Sequence, residues 1–71
     1  MKLKNLVPLL AVHARVRIYD SDGHIVKNIN DISRLDMYSV NGVCCCDLLV
    51  QAIQAYKKDS YGRTRLDVVV F

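Results

Sequence analysis

The first apolar positions of the chain recur at helical spacing. Leu3, Leu6, Val7 and Leu10 lie three and four residues apart, which is typical of one face of a short amphipathic helix. Pro8 lacks a backbone N–H and is tolerated in a helix only near its first turn. We therefore predict a helix at residues 4–12 whose leucines face the core.

Strict alternation of apolar and polar residues follows the predicted helix. Val16 and Ile18 alternate with polar residues, which predicts a strand with these two side chains directed inward. The sequence Asp20-Ser21-Asp22-Gly23 predicts a turn, because Gly23 can take a positive φ. Residues 24–27 return as a second strand, so this region is predicted to be a β-hairpin.

The remaining segments are less regular until the end of the chain. Residues 28–36 read as an irregular crossing segment with about one helical turn, and Asn41-Gly42 marks a further turn. Residues 66–71 end in Val-Val-Val-Phe, and this end is apolar on both faces. We expect a strand there that is covered on both sides and central in its sheet.

Two interpretations of residues 47–58 stay open on the pattern alone. A helix with Asp47 as its N-cap is favoured by apolar residues at helical spacing, namely Leu48, Leu49, Ala52, Ile53 and Tyr56. A strand would instead divide these residues between two faces. The local period favours the helix, which would give two helices on a three-stranded sheet.

Composition limits the size and kind of fold. The chain has 71 residues, 52% of them hydrophobic, and all seven acidic residues are Asp. This length allows one domain, residues 1–71, with net stability of about 3–5 kcal/mol, and excludes large enzyme folds. Lack of Glu and abundance of Val favour strand over helix. Ser, His and Asp occur without a catalytic spacing, so we expect no enzyme activity and no cofactor.

The three cysteines, Cys44, Cys45 and Cys46, are consecutive, which suits neither a disulfide framework nor a zinc site. We expect small buried thiols in a reducing cytoplasm, the alternative being a metal site that recruits His13 or His24. Asp20-x-Asp22-Gly23 lacks the Gly position and closing Glu of a calcium loop, so no metal is expected there. No apolar run reaches the length of about 20 residues that a membrane helix needs, so no membrane partner is expected.

The net charge of +3 is concentrated in one stretch. Residues 57–65 hold four basic residues and one acidic residue, whereas the rest of the chain is balanced. Basic residues beside tyrosines suit a phosphate backbone or an acidic protein face, and the alternative is a solvated loop that maintains solubility. The candidate partner-binding residues are Tyr56, Lys57, Lys58, Tyr61, Arg63, Arg65, Arg15 and Arg17. The last two join the patch if their strand lies beside the final one.

Several of these segments resemble a group of small proteins from phages and mobile elements of Gram-positive bacteria. The similarity lies in the Leu-rich opening at residues 1–10, in Ile18-Tyr19-Asp20-x-Asp22-Gly23, and in Leu66-Asp67-Val68-Val69. Residues 29–49 match nothing in that group. The resemblance implies that residues 50–56 form a strand paired with the last one, and that residues 57–63 form a hairpin tip. It also implies an anti-defence role, since some mobile-element proteins of this size are anti-CRISPR inhibitors.

With this resemblance we predict an α+β fold, in which a short N-terminal helix packs on a mostly antiparallel sheet of about four strands. The expected function is that of a non-enzymatic protein-binding module in the bacterial cytoplasm. It would inhibit a defence complex sterically by docking on a host protein or a protein–nucleic acid complex, and its basic charge disfavours mimicry of DNA. The alternatives are a small basic nucleic-acid-binding accessory protein and a homodimeric structural protein.

Overall fold

The computed structural model describes residues 1–71 and shows the predicted α+β architecture. A four-stranded sheet contains β1 (Arg15–Tyr19), β2 (Ile25–Ile29), β5 (Val50–Lys58) and β6 (Thr64–Val70). A small second sheet contains β3 (Ser39–Val40) and β4 (Val43–Cys44). Three 3-10 helices complete the fold: η1 (Leu3–Leu9), η2 (Ile32–Met37) and η3 (Cys45–Asp47). No helix has both the length and the apolar character needed to span a membrane.

The N-terminal helix forms, but its predicted bounds were wrong. It runs from Leu3 to Leu9 as a 3-10 helix, and Leu10 is already extended. Pro8 lies inside this helix and has no N–H to donate to the carbonyl four residues back, as an α-helix requires. The hydrogen bonds of a 3-10 helix span three residues, and such helices are usually short. Leu3 and Leu6 are buried as predicted, whereas Leu10 is half-buried.

Strand order in the large sheet is β2-β1-β6-β5. The β1–β6 pair is parallel, while β1–β2 and β5–β6 are antiparallel, so the sheet is mostly antiparallel as predicted. The last strand is central, which the apolar run at its end predicted. Because β1 lies beside β6, the condition for Arg15 and Arg17 to join the basic stretch is met.

Residues 50–58 form a strand, so the helical alternative for residues 47–58 was wrong. Strand β5 pairs with β6 alone, and its register shifts twice, between Val50 and Ala52 and between Ile53 and Ala55. Each shift inserts a residue and breaks the two-residue alternation. Two such irregularities within nine residues produce apolar spacings of three and four, which explains why the sequence imitates a helix.

One face of the large sheet carries the core. Val16, Ile18, Leu66 and Val68 are almost completely buried, and the helices cover them with Leu3, Leu6, Ile32, Leu35 and Cys45. Side chains alternate across a strand, so Arg15, Arg17, Arg65 and Asp67 lie on the opposite face. We call this opposite side the outer face.

The predicted turns are present. Gly23 has a φ of +85° in the β1–β2 hairpin, whose second strand is Ile25–Ile29 rather than residues 24–27. Asp20 Oδ1 accepts hydrogen bonds from the N–H groups of Asp22 and His24, both at 2.9 Å. The turn predicted at Asn41-Gly42 connects β3 and β4, and Asn41 has the positive φ, 52°, that this dipeptide favours.

Candidate partner-binding site

The β5–β6 hairpin tip, residues 59–63, is organised by one carboxylate. Asp59 Oδ1 accepts hydrogen bonds from the N–H groups of Tyr61 at 2.9 Å and Arg63 at 3.0 Å. The Asp59 C=O accepts a further bond from the N–H of Gly62 at 3.0 Å. A short Asp side chain that bonds the backbone two residues ahead fixes a turn. The backbone of the tip, including that of Tyr61, is therefore held in one conformation.

Arg63, a predicted partner-binding residue, contacts the protein's own backbone. Its Nη2 donates hydrogen bonds to the C=O of His13 at 2.6 Å and to the C=O of Asn30 at 2.5 Å. His13 precedes β1 and Asn30 follows β2, so one guanidinium joins the tip to two other parts of the fold. The side chain is half-buried, and these contacts assign it a structural role.

Arg15 lies on the outer face beneath the tip. Its Nη1 is 3.3 Å from Asp59 Oδ2, and its guanidinium carbon is 5.7 Å from the ring centroid of Tyr61, within cation–π range. Burial of the Asp59 carboxylate opposes its ionisation, but the two backbone N–H groups, Arg15 and Arg63 outweigh burial and lower the pKa of Asp59 below its usual range. Asp59 is therefore the anion that holds Arg15 and the tip together.

Arg65 sits directly opposite Arg15 in the parallel β1–β6 pair. Like charges at opposed positions repel, and here each guanidinium has its own carboxylate. Arg65 Nε is 3.1 Å from Asp67 Oδ1, and Arg65 Nη2 donates to Asp67 Oδ2 at 3.2 Å. Asp67 is only 7% exposed. Sequence reasoning missed Asp67 because it lies just beyond the basic stretch, although its i, i+2 spacing from Arg65 places both on one face.

Arg17 is the third arginine of the outer face, and it pairs with an amide. Its Nε donates to Asn28 Oδ1 at 3.1 Å, across the β1–β2 pair. Lys57 lies opposite Arg65 in the β5–β6 pair, and both Lys57 and Lys58 are exposed. Positive charge is thus retained at Arg17 and along the end of β5, while Arg15 and Arg65 are largely neutralised.

The two tyrosines of the predicted site lie on different faces. Tyr56 is opposite the core residue Leu66, and its hydroxyl accepts a hydrogen bond from the N–H of Ala11 at 2.7 Å. Its side of the sheet is the core face, and it is 45% exposed. Tyr61 stands over Arg15 at the tip and is 81% exposed. Only Tyr61 presents its ring together with the outer-face arginines.

Comparison with protein-family models, curated protein sequences and solved structures finds no match for the chain. By their contacts, the predicted site residues fall into three groups. Those that are exposed at or beside the tip are Lys57, Lys58 and Tyr61. Those held on the outer face by polar partners are Arg15, Arg17 and Arg65. Tyr56 and Arg63 bond to backbone groups of distant segments.

The cysteines and histidines do not combine into a metal site. All three thiols are free; Cys45 is buried as predicted, whereas Cys44 and Cys46 are half-buried. His13 Nδ1 lies 2.7 Å from Asp31 Oδ2, whereas His24 Nδ1 lies 3.8 Å from Asp20 Oδ2. The converging group of potential metal ligands contains no cysteine, so the geometry does not support the alternative of a cysteine–histidine metal site. Asp20, Asp22 and His24 do converge, but Asp20 is already engaged in closing the turn.

Proposed function

We propose that the protein is a non-enzymatic protein-binding module that docks through the hairpin tip and the outer face. The observation that carries this proposal is the exposed ring of Tyr61, held over Arg15 by a turn that Asp59 fixes. Tyrosine is enriched among the residues that dominate protein interfaces. A ring that is already ordered loses little conformational freedom on binding, which favours its use as an anchor.

The charges around the tip indicate the character of the partner. Lys57 and Lys58 are exposed at the end of β5, and Arg17 has no carboxylate among its hydrogen-bond partners. Complementary potentials orient two proteins and accelerate their encounter. The partner face that fits is therefore acidic and includes an apolar recess for Tyr61.

The resemblance to small proteins of phages and mobile elements supplies the biological setting of the proposal. In that setting the module acts in the cytoplasm of a bacterial host, where it occupies a surface of a defence complex and inhibits it sterically. The basic charge of the tip favours an acidic protein face over imitation of DNA by this chain.

Affinity capture from a bacterial lysate tests the proposal with two matched variants. Tyr61→Ser removes the anchor, and Phe71→Ser removes an aromatic ring of similar exposure, 79%, at the opposite end of β6. We expect a specific protein, identified by mass spectrometry, to be retained by the wild type and Phe71→Ser and lost with Tyr61→Ser. Retention of the same proteins by all three would reject docking through the tip.

A nucleic-acid-binding accessory protein is the second candidate, supported by the exposed Lys57 and Lys58 beside an exposed aromatic ring. It requires binding of a single-stranded oligonucleotide that weakens steeply with salt and is lost in Lys57→Gln/Lys58→Gln. The neutralisation of Arg15 and Arg65 by carboxylates leaves few free cations for a phosphate backbone. Fluorescence anisotropy at low salt that detects no oligonucleotide binding eliminates this candidate.

A homodimer formed through strand β5 is the third candidate. Strand β5 is a nine-residue edge strand, and on its free side the N-terminal segment contacts it only at its start, where the Val50 N–H donates to the Met1 C=O beside the Lys2–Leu49 bridge. A long free edge is a template for another strand, although the two irregularities in β5 and its terminal lysines oppose such pairing. Light scattering that gives the mass of one chain at high concentration rejects the dimer.

A further inference from the structure

The three arginines of the outer face line one cavity. It has a volume of about 290 Å³ and lies between the β1–β2 hairpin and the β5–β6 tip. The guanidinium-bearing residues Arg15, Arg17 and Arg65 share its wall with Asn28, Asp59 and Tyr61. We call it the arginine cavity. Most of the polar groups that these residues contribute are hydrogen-bond donors.

Two ion pairs at the cavity wall compensate their own charges. Asp59 Oδ2 lies 3.3 Å from Arg15 Nη1, and Asp67 Oδ1 lies 3.1 Å from Arg65 Nε. These two oxygens and the Nε atoms of both arginines make no aligned hydrogen bond, but all four atoms are buried within the pairs. Arg17 differs, because its polar partner is the neutral amide oxygen of Asn28. The guanidinium available to a ligand is therefore that of Arg17.

The charge balance fixes how much negative charge the cavity takes. Arg15 is balanced by Asp59 and Arg65 by Asp67, whereas Arg17 contacts only the neutral amide of Asn28. One positive charge thus remains for a ligand. A monoanion cancels it, while a doubly charged phosphate would leave excess negative charge beside the Asp59 carboxylate in the cavity wall.

We propose that the arginine cavity receives the carboxylate of an Asp or Glu side chain from the partner protein, an inference that rests on the proposed function. A planar carboxylate matches the fork of a guanidinium and accepts two hydrogen bonds from it. Tyr61 at the cavity rim then packs on the partner surface around that carboxylate. The cavity thereby adds specificity for an acidic residue next to the Tyr61 anchor.

The tripeptide acetyl-Gly-Glu-Gly-amide is the probe, and acetyl-Gly-Gln-Gly-amide is its neutral match. With uniformly ¹⁵N-labelled protein, we expect the Glu peptide to shift the Nε–H resonances of Arg15, Arg17 and Arg65 along a saturating curve. The Gln peptide and sodium chloride of equal ionic strength should not reproduce that curve. Because a charge-assisted hydrogen bond is lost, Arg17→Gln should weaken peptide binding by about tenfold or more.

Arg34→Gln is the matched control, since it makes the same substitution at an exposed arginine of η2 that does not line the cavity. Its binding curve should stay within about twofold of wild type, as expected for a screened surface charge. Thermal unfolding establishes that the variants fold. If Arg17→Gln fails to fold, Arg17→Lys replaces it, and loss of binding is still expected because a lysine keeps the charge but not the fork.

Three outcomes overturn the inference. They are equal shifts with the Glu and Gln peptides, shifts that follow ionic strength alone, and saturation by inorganic phosphate or oligothymidylate but not by the Glu peptide. Lysate capture separates this inference from the proposed function. Capture that depends on Tyr61 but not on Arg17 supports the proposed function and rejects carboxylate binding in the arginine cavity. Binding of the Glu peptide without Tyr61-dependent capture supports carboxylate binding and rejects docking through the tip.

Discussion

The carboxylate of Asp59 lies 3.3 Å from the guanidinium of Arg15, although the two residues belong to distant parts of the chain. Asp59 also accepts two backbone hydrogen bonds within its own turn. A single side chain therefore fixes the conformation of the tip and attaches it to β1. Because the Asp59 side chain is only 9% exposed, solvent screens this ion pair less than it screens a surface pair.

The first prediction concerns the coupling between Arg15 and Asp59. Arg15→Met and Asp59→Asn should each lower the free energy of unfolding, and the double variant should lose less than the sum of the two, because the second change no longer breaks an intact pair. Asn keeps an oxygen that can accept the turn hydrogen bonds, so the cycle isolates the charge interaction. Urea unfolding of the four proteins measures it. Strict additivity would show that the pair is not formed in solution.

The second prediction concerns Arg63, which donates to two backbone carbonyls. Arg63→Met keeps an unbranched apolar stem but removes both hydrogen bonds, and it should cost about 1–3 kcal/mol of unfolding free energy. Lys58→Met is the control on the same hairpin, and its effect should stay within about 0.5 kcal/mol. Urea unfolding gives both values, and equal effects of the two substitutions would contradict the structural role of Arg63.

Local patterns predicted the β1–β2 hairpin and the central last strand, whereas the sheet of about four strands was predicted from the resemblance to phage and mobile-element proteins. Strand β5 was the ambiguous element. Its two register irregularities are set by pairing with β6, and the apolar spacing they leave in the sequence is that of a helix. The local pattern therefore favoured a helix, and the strand was predicted only from the resemblance, which implied its pairing with the last strand. For the N-terminal helix, the sequence showed that Pro8 restricts where the helix can begin, but it did not show that the helix takes 3-10 geometry.

The sequence predicted which residues belong to the candidate site but not how their side chains contact one another. Counting charges along the chain treated Arg63 and Arg65 as free cations. In the fold, Arg63 bonds to carbonyls of residues 13 and 30, and Arg65 pairs with Asp67. Contacts between distant segments depend on which strands become neighbours, and a one-dimensional charge count does not contain that information. The i, i+2 spacing of Arg65 and Asp67 was the one local signal of pairing.

The third prediction separates the two tyrosines. Tyr56→Phe removes the hydroxyl that accepts the Ala11 N–H, and it should cost about 1 kcal/mol of unfolding free energy while leaving partner capture unchanged. Tyr61→Phe removes a hydroxyl from an exposed ring and should leave stability nearly unchanged. Thermal and urea unfolding measure the first difference. Loss of capture with Tyr56→Phe would show that the partner-binding surface extends to the core face.

The fourth prediction concerns the thiols. Burial raises the pKa of Cys45, and burial together with the neighbouring Cys44 raises the pKa of Cys46, so both thiols form less of the reactive thiolate. Iodoacetamide should therefore modify Cys44 first and Cys45 last in the folded protein. Mass spectrometry of timed digests gives the order, and the three rates should converge in concentrated urea. Equal rates in the folded protein would show that Cys45 is not protected.

The last prediction concerns acid stability. The side-chain hydroxyl and backbone N–H of Ser33 donate to Asp31 Oδ1 at 2.7 Å and 2.9 Å. With a smaller contribution from His13, these bonds outweigh burial and lower the pKa of Asp31 from 3.8 to about 2. A carboxyl whose pKa is lower in the folded state stabilises the fold above its unfolded pKa. That stabilisation is lost as the pH falls from about 4 towards about 2.

Asp31→Asn tests this directly, because Asn still caps η2 but does not ionise. The wild type should lose unfolding free energy between pH 4 and pH 2 more steeply than Asp31→Asn, as measured by urea unfolding at several pH values. Some slope should remain in the variant, since the pKa of Asp59 is lowered as well. Asp22→Asn removes an exposed carboxylate from another turn and should retain the wild-type slope. If Asp31→Asn retains it too, the Ser33 bonds do not hold the carboxylate ionised in solution.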